Sequence, residues 1–247
     1  MIRNDFPLIS VITVTYNAEE SIESTLKCIQ SLNYSNLEYI IIDGNSSDNT
    51  LKIVKRYKQW VNVIISEPDT GIYDAMNKGI NIAKGTAIML LNAGDTIHKD
   101  LLLEVLKFEL PLEDHVFASD WVVVDKNLDV KAKYFAHFQF NKKMGASHTG
   151  VLVGKNIYTK FGLYNTNYKF VADHDFFLKI WKVSPNSFIR IPYNWTYYFF
   201  EGATTNNIKK ALNERLTIIS RHFKFHEAIE IKIRTYARIL LFKISGK

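Results

Sequence analysis

Four polar clusters in the first hundred residues each follow a short, apolar, strand-like run. Val11-Ile-Thr-Val-Thr-Tyr-Asn17 ends in Thr15, Tyr16 and Asn17. Ile40-Ile-Ile-Asp-Gly-Asn-Ser-Ser-Asp48 carries Asp43 and Asp48, and Glu67-Pro-Asp-Thr-Gly-Ile-Tyr-Asp74 carries Asp69 and Asp74. Thr86-Ala-Ile-Met-Leu-Leu-Asn-Ala-Gly-Asp95 places Asn92, Gly94 and one carboxylate in a small-residue turn. In an open parallel sheet such strand ends meet at one crevice, where ligands bind. An aromatic face there stacks on a base, an amide reads its edge, and a carboxylate such as Asp43 accepts from a base N–H or ribose hydroxyls. An Asp in Asp95's position can hold a divalent cation against a diphosphate. Asp48 has a simpler explanation as a helix cap.

A second set lies further on. Ala172-Asp-His-Asp175 sets Asp173, His174 and Asp175 before an aromatic helix. A carboxylate there is either a helix cap or a proton acceptor. Asp175 is turned away from Asp173 on a helix, and His174 is a lesser base candidate because imidazole titrates near neutrality. His148 and Thr149 precede Gly150-Val-Leu-Val153. In Glu201-Gly-Ala-Thr-Thr205, Gly202 and Thr204 offer a backbone and hydroxyl cradle for phosphate, or merely a loop.

These groups need a frame. Residues 8–15, 38–43, 61–66 and 87–91 read as buried strands. Between them, 19–32, the segment after Asp48, and 72–84 read as helices, the last closed by Gly85 in the left-handed cap position. Alternation of this kind implies βαβ units and a mostly parallel sheet. Beyond Asp95 the alternation weakens: 101–110 looks helical, 115–124 and 129–138 look like an antiparallel pair turning at Asp125-Lys-Asn, and 151–153 is a short strand. Residues 173–183 form a helix, 188–200 is β-branched and aromatic, and 207–244 forms one or two helices. The expected organisation is one α/β domain, 1–206, with a nucleotide half (1–95) and an acceptor half (96–206), followed by a helical extension, 207–247.

Composition narrows the class. A 47% hydrophobic share over 247 residues supports a sizeable core. Cys28 is the single cysteine, which excludes an intrachain disulfide and points to a reducing, cytoplasmic setting. The net charge of +6 is local: ten Lys/Arg face three Asp/Glu from Asn207 onward, leaving 21 basic and 22 acidic residues before it. A near-neutral main body argues against a nucleic-acid groove. The basic tail fits an anionic membrane surface, packing on the main domain, or a second subunit, with Phe225, Ile229, Ile233, Tyr236 and Leu240 on one stripe.

The motifs Val-Thr-Tyr-Asn, Asp-Gly-x-Ser-x-Asp-x-Thr, Glu-Pro-Asp-x-Gly-Ile-Tyr-Asp-Ala-Met-Asn-Lys-Gly and Asn-Ala-Gly-Asp occur in that order. In this the chain resembles the inverting family 2 glycosyltransferases of GT-A fold, over roughly residues 7 to 205 and most closely those that build bacterial surface polysaccharides. The resemblance implies a nucleotide-diphosphate sugar donor, a UDP-sugar above others, and a glycan or polyprenyl-linked acceptor. It implies donor contacts at Thr15, Tyr16, Asn17, Asp43, Asp69, Asp74, Asn77, Asn92 and Gly94. Asp95 would be the ligand of Mg²⁺ or Mn²⁺, and Asp173 the base. His148, Thr149, Asp175, Gly202 and Thr204 would border the acceptor or phosphate. Two departures stand out: Asp95 is the only carboxylate of its turn, where the family has Asp-x-Asp, and Ala172 replaces the Glu of a Glu-Asp pair. Lys78 reads as an exposed helix lysine or a phosphate partner. The competing classes are a sugar-phosphate nucleotidyltransferase and a non-catalytic carbohydrate-binding protein. The first lacks its glycine-rich basic loop, since Thr15-Tyr-Asn-Ala-Glu-Glu20 is acidic and glycine-free.

Overall fold

The computed structural model describes residues 6–124, 129–138, 148–199 and 207–244. In chain order the elements are β1 (Ile9–Thr15), α1 (Ile22–Gln30), β2 (Leu37–Asp43), α2 (Thr50–Arg56), β3 (Val63–Ser66), α3 (Ile72–Ile82), β4 (Ala87–Asn92) and β5 (Thr96–Ile97). There follow α4 (Leu101–Leu106), β6 (Val116–Val124), β7 (Val130–Tyr134), β8 (Val151–Gly154), α5 (Lys155–Phe161), α6 (Ala172–Val183), β9 (Phe188–Phe199), α7 (Ile208–His222) and α8 (Phe225–Ile244).

One sheet runs β3-β2-β1-β4-β8-β6-β9-β5, with β7 paired to β6. The first four strands are parallel. β8 is antiparallel to both β4 and β6, β7 is antiparallel to β6, and β9 returns parallel to β6. The alternation of side chains builds two cores. Ile12, Val14, Ile40, Ile42, Ile88 and Leu90 face α3, α5 and α6. Ile9, Val11, Ile41, Met89 and Leu91 face α1, α2 and α4. Both faces are covered, which is why these strands read as continuous apolar runs.

Register does the positioning. Thr15 lies opposite Asp43, Asp43 opposite Ser66, and Val14 opposite Asn92. The polar clusters therefore gather along one sheet edge, at the carboxyl ends of the parallel strands.

Several local expectations change. Gly85 is not a left-handed helix cap. α3 stops at Ile82 with Ala83 already extended, and a Cβ on Gly85 would lie 2.5 Å from the Ser10 backbone nitrogen. The glycine is needed for close approach to β1. α1 begins at Ile22 rather than 19, and α4 ends at Leu106 rather than 110. Asp48 sits one residue before the α2 cap, accepting from the Thr50 N–H (2.9 Å) and the Glu19 N–H (3.1 Å). α5 and the short β5 were not legible in the sequence. The turn at Asp125-Lys-Asn lies outside the described residues.

Candidate active site

At the strand-end edge, β1 ends with the Thr15 hydroxyl buried and without a hydrogen-bond partner among the described residues. Tyr16 is 65% exposed, a free aromatic face at the crevice. Asn17 adopts a left-handed backbone (φ 45°). It pins two loops together: its N–H donates to Ser46 Oγ (2.8 Å) and its Oδ1 accepts the Ser47 N–H (2.9 Å). Asp43 is fully buried, accepting from the Ser46 N–H (3.0 Å) and the Ser66 hydroxyl (2.7 Å). Gly44 lets this edge close, since a Cβ there would lie 2.5 Å from Asp69 Oδ2 and 3.3 Å from the Tyr16 ring. Tyr16, Asp43 and Asp69 thus border one space.

The loop before α3 is held from within. Asp69 Oδ1 accepts the Gly71 N–H (2.8 Å), and Asp74 Oδ2 accepts the Thr70 N–H (2.9 Å). The Thr70 N–H lowers the Asp74 pKa. Lys78 is committed to this loop, donating to Pro68 O (2.8 Å) and pairing with Glu67 (2.8 Å). Asn77 is committed to a neighbouring segment. Its amide makes a two-way bridge to the Tyr164 backbone, Nδ2 to O (2.9 Å) and N–H to Oδ1 (3.0 Å).

The turn after β4 carries Asp95, which is 2% exposed. Thr25 of α1 fixes this turn, its Oγ1 accepting the Gly94 N–H (2.9 Å) and facing Asp95 O (2.9 Å). Gly94 has φ 99°. Two consecutive residues then join the two halves of the site. Thr149 donates its hydroxyl to Asp95 Oδ2 (2.9 Å). His148 Nδ1 lies 3.2 Å from Asp173 Oδ2, and its Nε2 lies 2.8 Å from Asn92 Nδ2. An amide NH₂ only donates, so Nε2 accepts and the proton belongs on Nδ1, pointing at Asp173. Gly150 makes this approach possible: at φ 80°, a Cβ would run into Thr196 Oγ1 and lie 2.7 Å from Ser119 Oγ.

Asp173 lies in the first turn of α6 and is 2% exposed, so it is not the helix cap. Its Oδ1 accepts from the Tyr73 hydroxyl (3.0 Å) and the His174 N–H (2.9 Å). Burial alone would raise its pKa. The hydrogen bonds from His148 and the Tyr73 hydroxyl outweigh burial and hold it below the usual value, so the carboxylate is ionised at neutral pH. Burial keeps the Tyr73 hydroxyl protonated. Tyr198 of β9 feels both Asp95 and Asp173, and burial first, then those charges, push it up to about 12.

Two neighbours of Asp173 have other surroundings. His174 is pushed down to about 3 by burial, followed by the charge of Arg215, which makes it a poor base. Asp175 points to the other side, bound to His222 of α7 (2.7 Å) and Lys179 (2.8 Å). It fastens the C-terminal helices to α6. Gly202 and Thr204 lie outside the described residues. Tyr73, Thr25 and Tyr198 were missed from sequence; each reaches the site from a distant segment, with no local pattern to mark it.

Among the described residues, no three His, Cys, Asp or Glu side chains form a ready-made metal cluster. Asp95 alone fits a cation that takes its remaining oxygen ligands from diphosphate and water.

The family model described as glycosyl transferase family 2 matches residues 10–170. The chain belongs to that family. As a family 2 glycosyltransferase it is an enzyme that takes its sugar from a nucleotide-sugar donor, and the strand-end edge is where the matched residues converge. It is 28% identical over 178 residues to the PGL/p-HBAD biosynthesis glycosyltransferase of Mycobacterium bovis (strain BCG / Pasteur 1173P2), covering 69% of this chain and 68% of that protein. It is 34% identical over 105 residues to the putative teichuronic acid biosynthesis glycosyltransferase TuaG of Bacillus subtilis, covering 41% and 42%. The fold is GT-A. S. aureus TarS 1-349, in complex with UDP-GlcNAc, superposes with a TM-score of 0.71 at 17% identity, over 93% of this chain and 73% of that one. Against the longer TarS chain the match spans 43% of its length. The mannosyltransferase PcManGT of Pyrobaculum calidifontis, in complex with GDP-Man and Mn²⁺, superposes with a TM-score of 0.66 at 15% identity, over 88% and 64%.

Proposed function

We propose that this glycosyltransferase moves a sugar, with inversion, from a UDP-sugar to a hydroxyl of a glycan or polyprenyl-linked acceptor in the synthesis of a cell-surface glycan. The observation that carries this reading is the His148-Thr149 pair, which ties Asp173 and Asp95 into one site at the end of β4. Inverting transfer needs a leaving-group site and a proton acceptor close together, on opposite faces of the sugar. Asp95 would hold Mg²⁺ or Mn²⁺, which when bound neutralises charge growing on the leaving diphosphate. Tyr16 stacks on the base, while Asp43, Asp69 and the open Thr15 hydroxyl supply acceptors and a donor for base edge and ribose. The His148–Asp173 unit takes the acceptor's proton.

TarS, which is known with UDP-GlcNAc and with UDP, supports uridine as the base, and the names of the PGL/p-HBAD and TuaG relatives support a surface-glycan product. Under the same reading α8 rests on the anionic cytoplasmic face of a membrane, where polyprenyl-linked acceptors reside. No helix among the described residues is long and apolar enough to cross a bilayer.

A panel of nucleotide sugars with Mn²⁺ tests the proposal. We expect release of UDP from at least one UDP-sugar, and none of GDP from GDP-sugars. Pyrophosphate release from UTP and a sugar phosphate would favour the nucleotidyltransferase class, and silence in both assays a binding protein.

A further inference from the structure

α7 begins the segment expected as an extension, yet one of its faces is built into the approach to Asp173. Ala211, Glu214, Ile218, Arg221 and His222 recur at helical spacing. Ala211 and Ile218 are buried in the core that holds α6. Arg221 donates to the Tyr168 hydroxyl (2.8 Å) and lies over its ring, and His222 meets Asp175 (2.7 Å). These contacts fix the helix against α6 and against the loop before it. Glu214, partly buried on the same face, accepts two consecutive backbone N–H groups of that loop. The Lys169 N–H reaches Oε1 (2.8 Å) and the Phe170 N–H reaches Oε2 (2.8 Å).

This loop is held from outside. Val171 opens α6 with no side-chain cap hydrogen bond, and the two N–H groups ahead of it go to Glu214. The Phe170 carbonyl accepts from the Tyr73 hydroxyl (3.2 Å), and the same hydroxyl reaches Asp173 Oδ1 (3.0 Å). A hydroxyl has one proton to donate, so the position of Phe170 decides how that proton is shared between carbonyl and carboxylate. On the other side of the loop, Lys169 Nζ donates to Thr70 O (2.9 Å), ahead of α3. Hydrogen bonds to an ionised carboxylate are about twice as strong as neutral ones, which makes Glu214 the firm end of this chain of contacts.

We propose that Glu214 is a positioning residue for glycosyl transfer: it fixes the Lys169-Phe170 backbone and, through the Tyr73 hydroxyl, the placement of Asp173. This rests on the transfer reading above, in which the His148–Asp173 unit takes the acceptor's proton. Glu214 touches neither donor nor acceptor. It acts two contacts away, by denying the loop into α6 the freedom to carry Phe170 O and Tyr73 off their marks.

The test uses the full chain, Mn²⁺ and a UDP-sugar that the wild type turns over. Glu214→Gln keeps the size of the side chain but removes the charge and sets an NH₂ against one of the two N–H groups. Turnover per UDP-binding site, the sites counted by calorimetry, should fall roughly 10- to 100-fold, while UDP affinity stays within about threefold. Ile218→Ala on the same face is the stability control. It should lower the urea midpoint at least as far and leave turnover per site near wild type. In a Tyr73→Phe background, Glu214→Gln should cost less than about threefold, because the two residues act along one route. Wild-type turnover per site in Glu214→Gln, or an equal loss in Ile218→Ala, would make Glu214 a structural contact and overturn the proposal. The full loss persisting in the Tyr73→Phe background would overturn it too. Should Glu214→Gln fail to fold, Glu214→Asp, which keeps the charge but is one methylene shorter, is read by the same criteria. A wild type that turns over no nucleotide sugar removes the transfer reading and this proposal together. An active wild type with an unaffected Glu214→Gln removes the proposal alone.

Discussion

Asn77 illustrates what a motif does and does not say about a side chain. It belongs to a segment assigned to the donor by resemblance, yet its amide satisfies the Tyr164 backbone in both directions. Asn77→Ala would leave a buried N–H and C=O unpaired, at a cost of roughly 1–3 kcal/mol. We expect a lower unfolding midpoint in urea and unchanged UDP affinity. Lost affinity at unchanged stability would return Asn77 to the donor site. The residues around Asp173 teach the same lesson. The sequence marks a polar triplet, but only packing separates its roles: Asp173 meets Tyr73 and His148, His174 is buried neutral, and Asp175 turns to His222. Partners lying 25 to 100 residues away have no local signature.

At the scale of elements, the parallel half was legible because its strands are buried on both faces and its helices carry single apolar stripes. β1 to β4 are where periodicity and turn residues placed them, within a residue or two. The second half was harder to read. α5 is only seven residues long and follows β8 without a turn signal. β9 slips register beside Asp120, with Tyr193 at φ 85°. The C-terminal stripe is better explained in three dimensions. Ile231, which falls off it, is buried with Ala228 against Ile219 of α7. Phe225, Ile229, Ile233 and Tyr236 are 82%, 41%, 63% and 53% exposed. Exposed Lys209, Lys210, Arg221 and Lys224 add positive charge to the same helix pair. We expect the chain to sediment with phosphatidylglycerol vesicles and not with phosphatidylcholine vesicles. A Phe225→Ser, Ile233→Ser double variant should lose at least tenfold in that binding, because each buried apolar side chain contributes about 1.5–3 kcal/mol. Equal binding to both vesicles would remove the role of the basic residues, and binding to neither would remove the membrane contact.

At the scale of the molecule, one sheet carries both halves of the proposed site. The parallel strands β1, β2 and β4 deliver Tyr16, Asp43 and Asp95 to a common edge. The antiparallel β8, wedged between β4 and β6, brings His148 and Thr149 to that same edge from the other half. The two groups of polar residues are therefore held together by hydrogen-bonded neighbouring strands rather than by a hinge. Under the proposed function, a single Asp in the turn, with no ready-made metal cluster among the described residues, would need the nucleotide as a co-ligand, so metal and donor would bind together.

The most direct measurement is calorimetric titration of the wild type and of Asp95→Ala with UDP and with GDP, each with and without Mn²⁺. The proposed function predicts UDP binding that requires Mn²⁺, is weakened at least tenfold by Asp95→Ala, and has no GDP counterpart. No binding of either nucleotide, or UDP binding indifferent to both Mn²⁺ and Asp95, would contradict the placement of the leaving group at the end of β4.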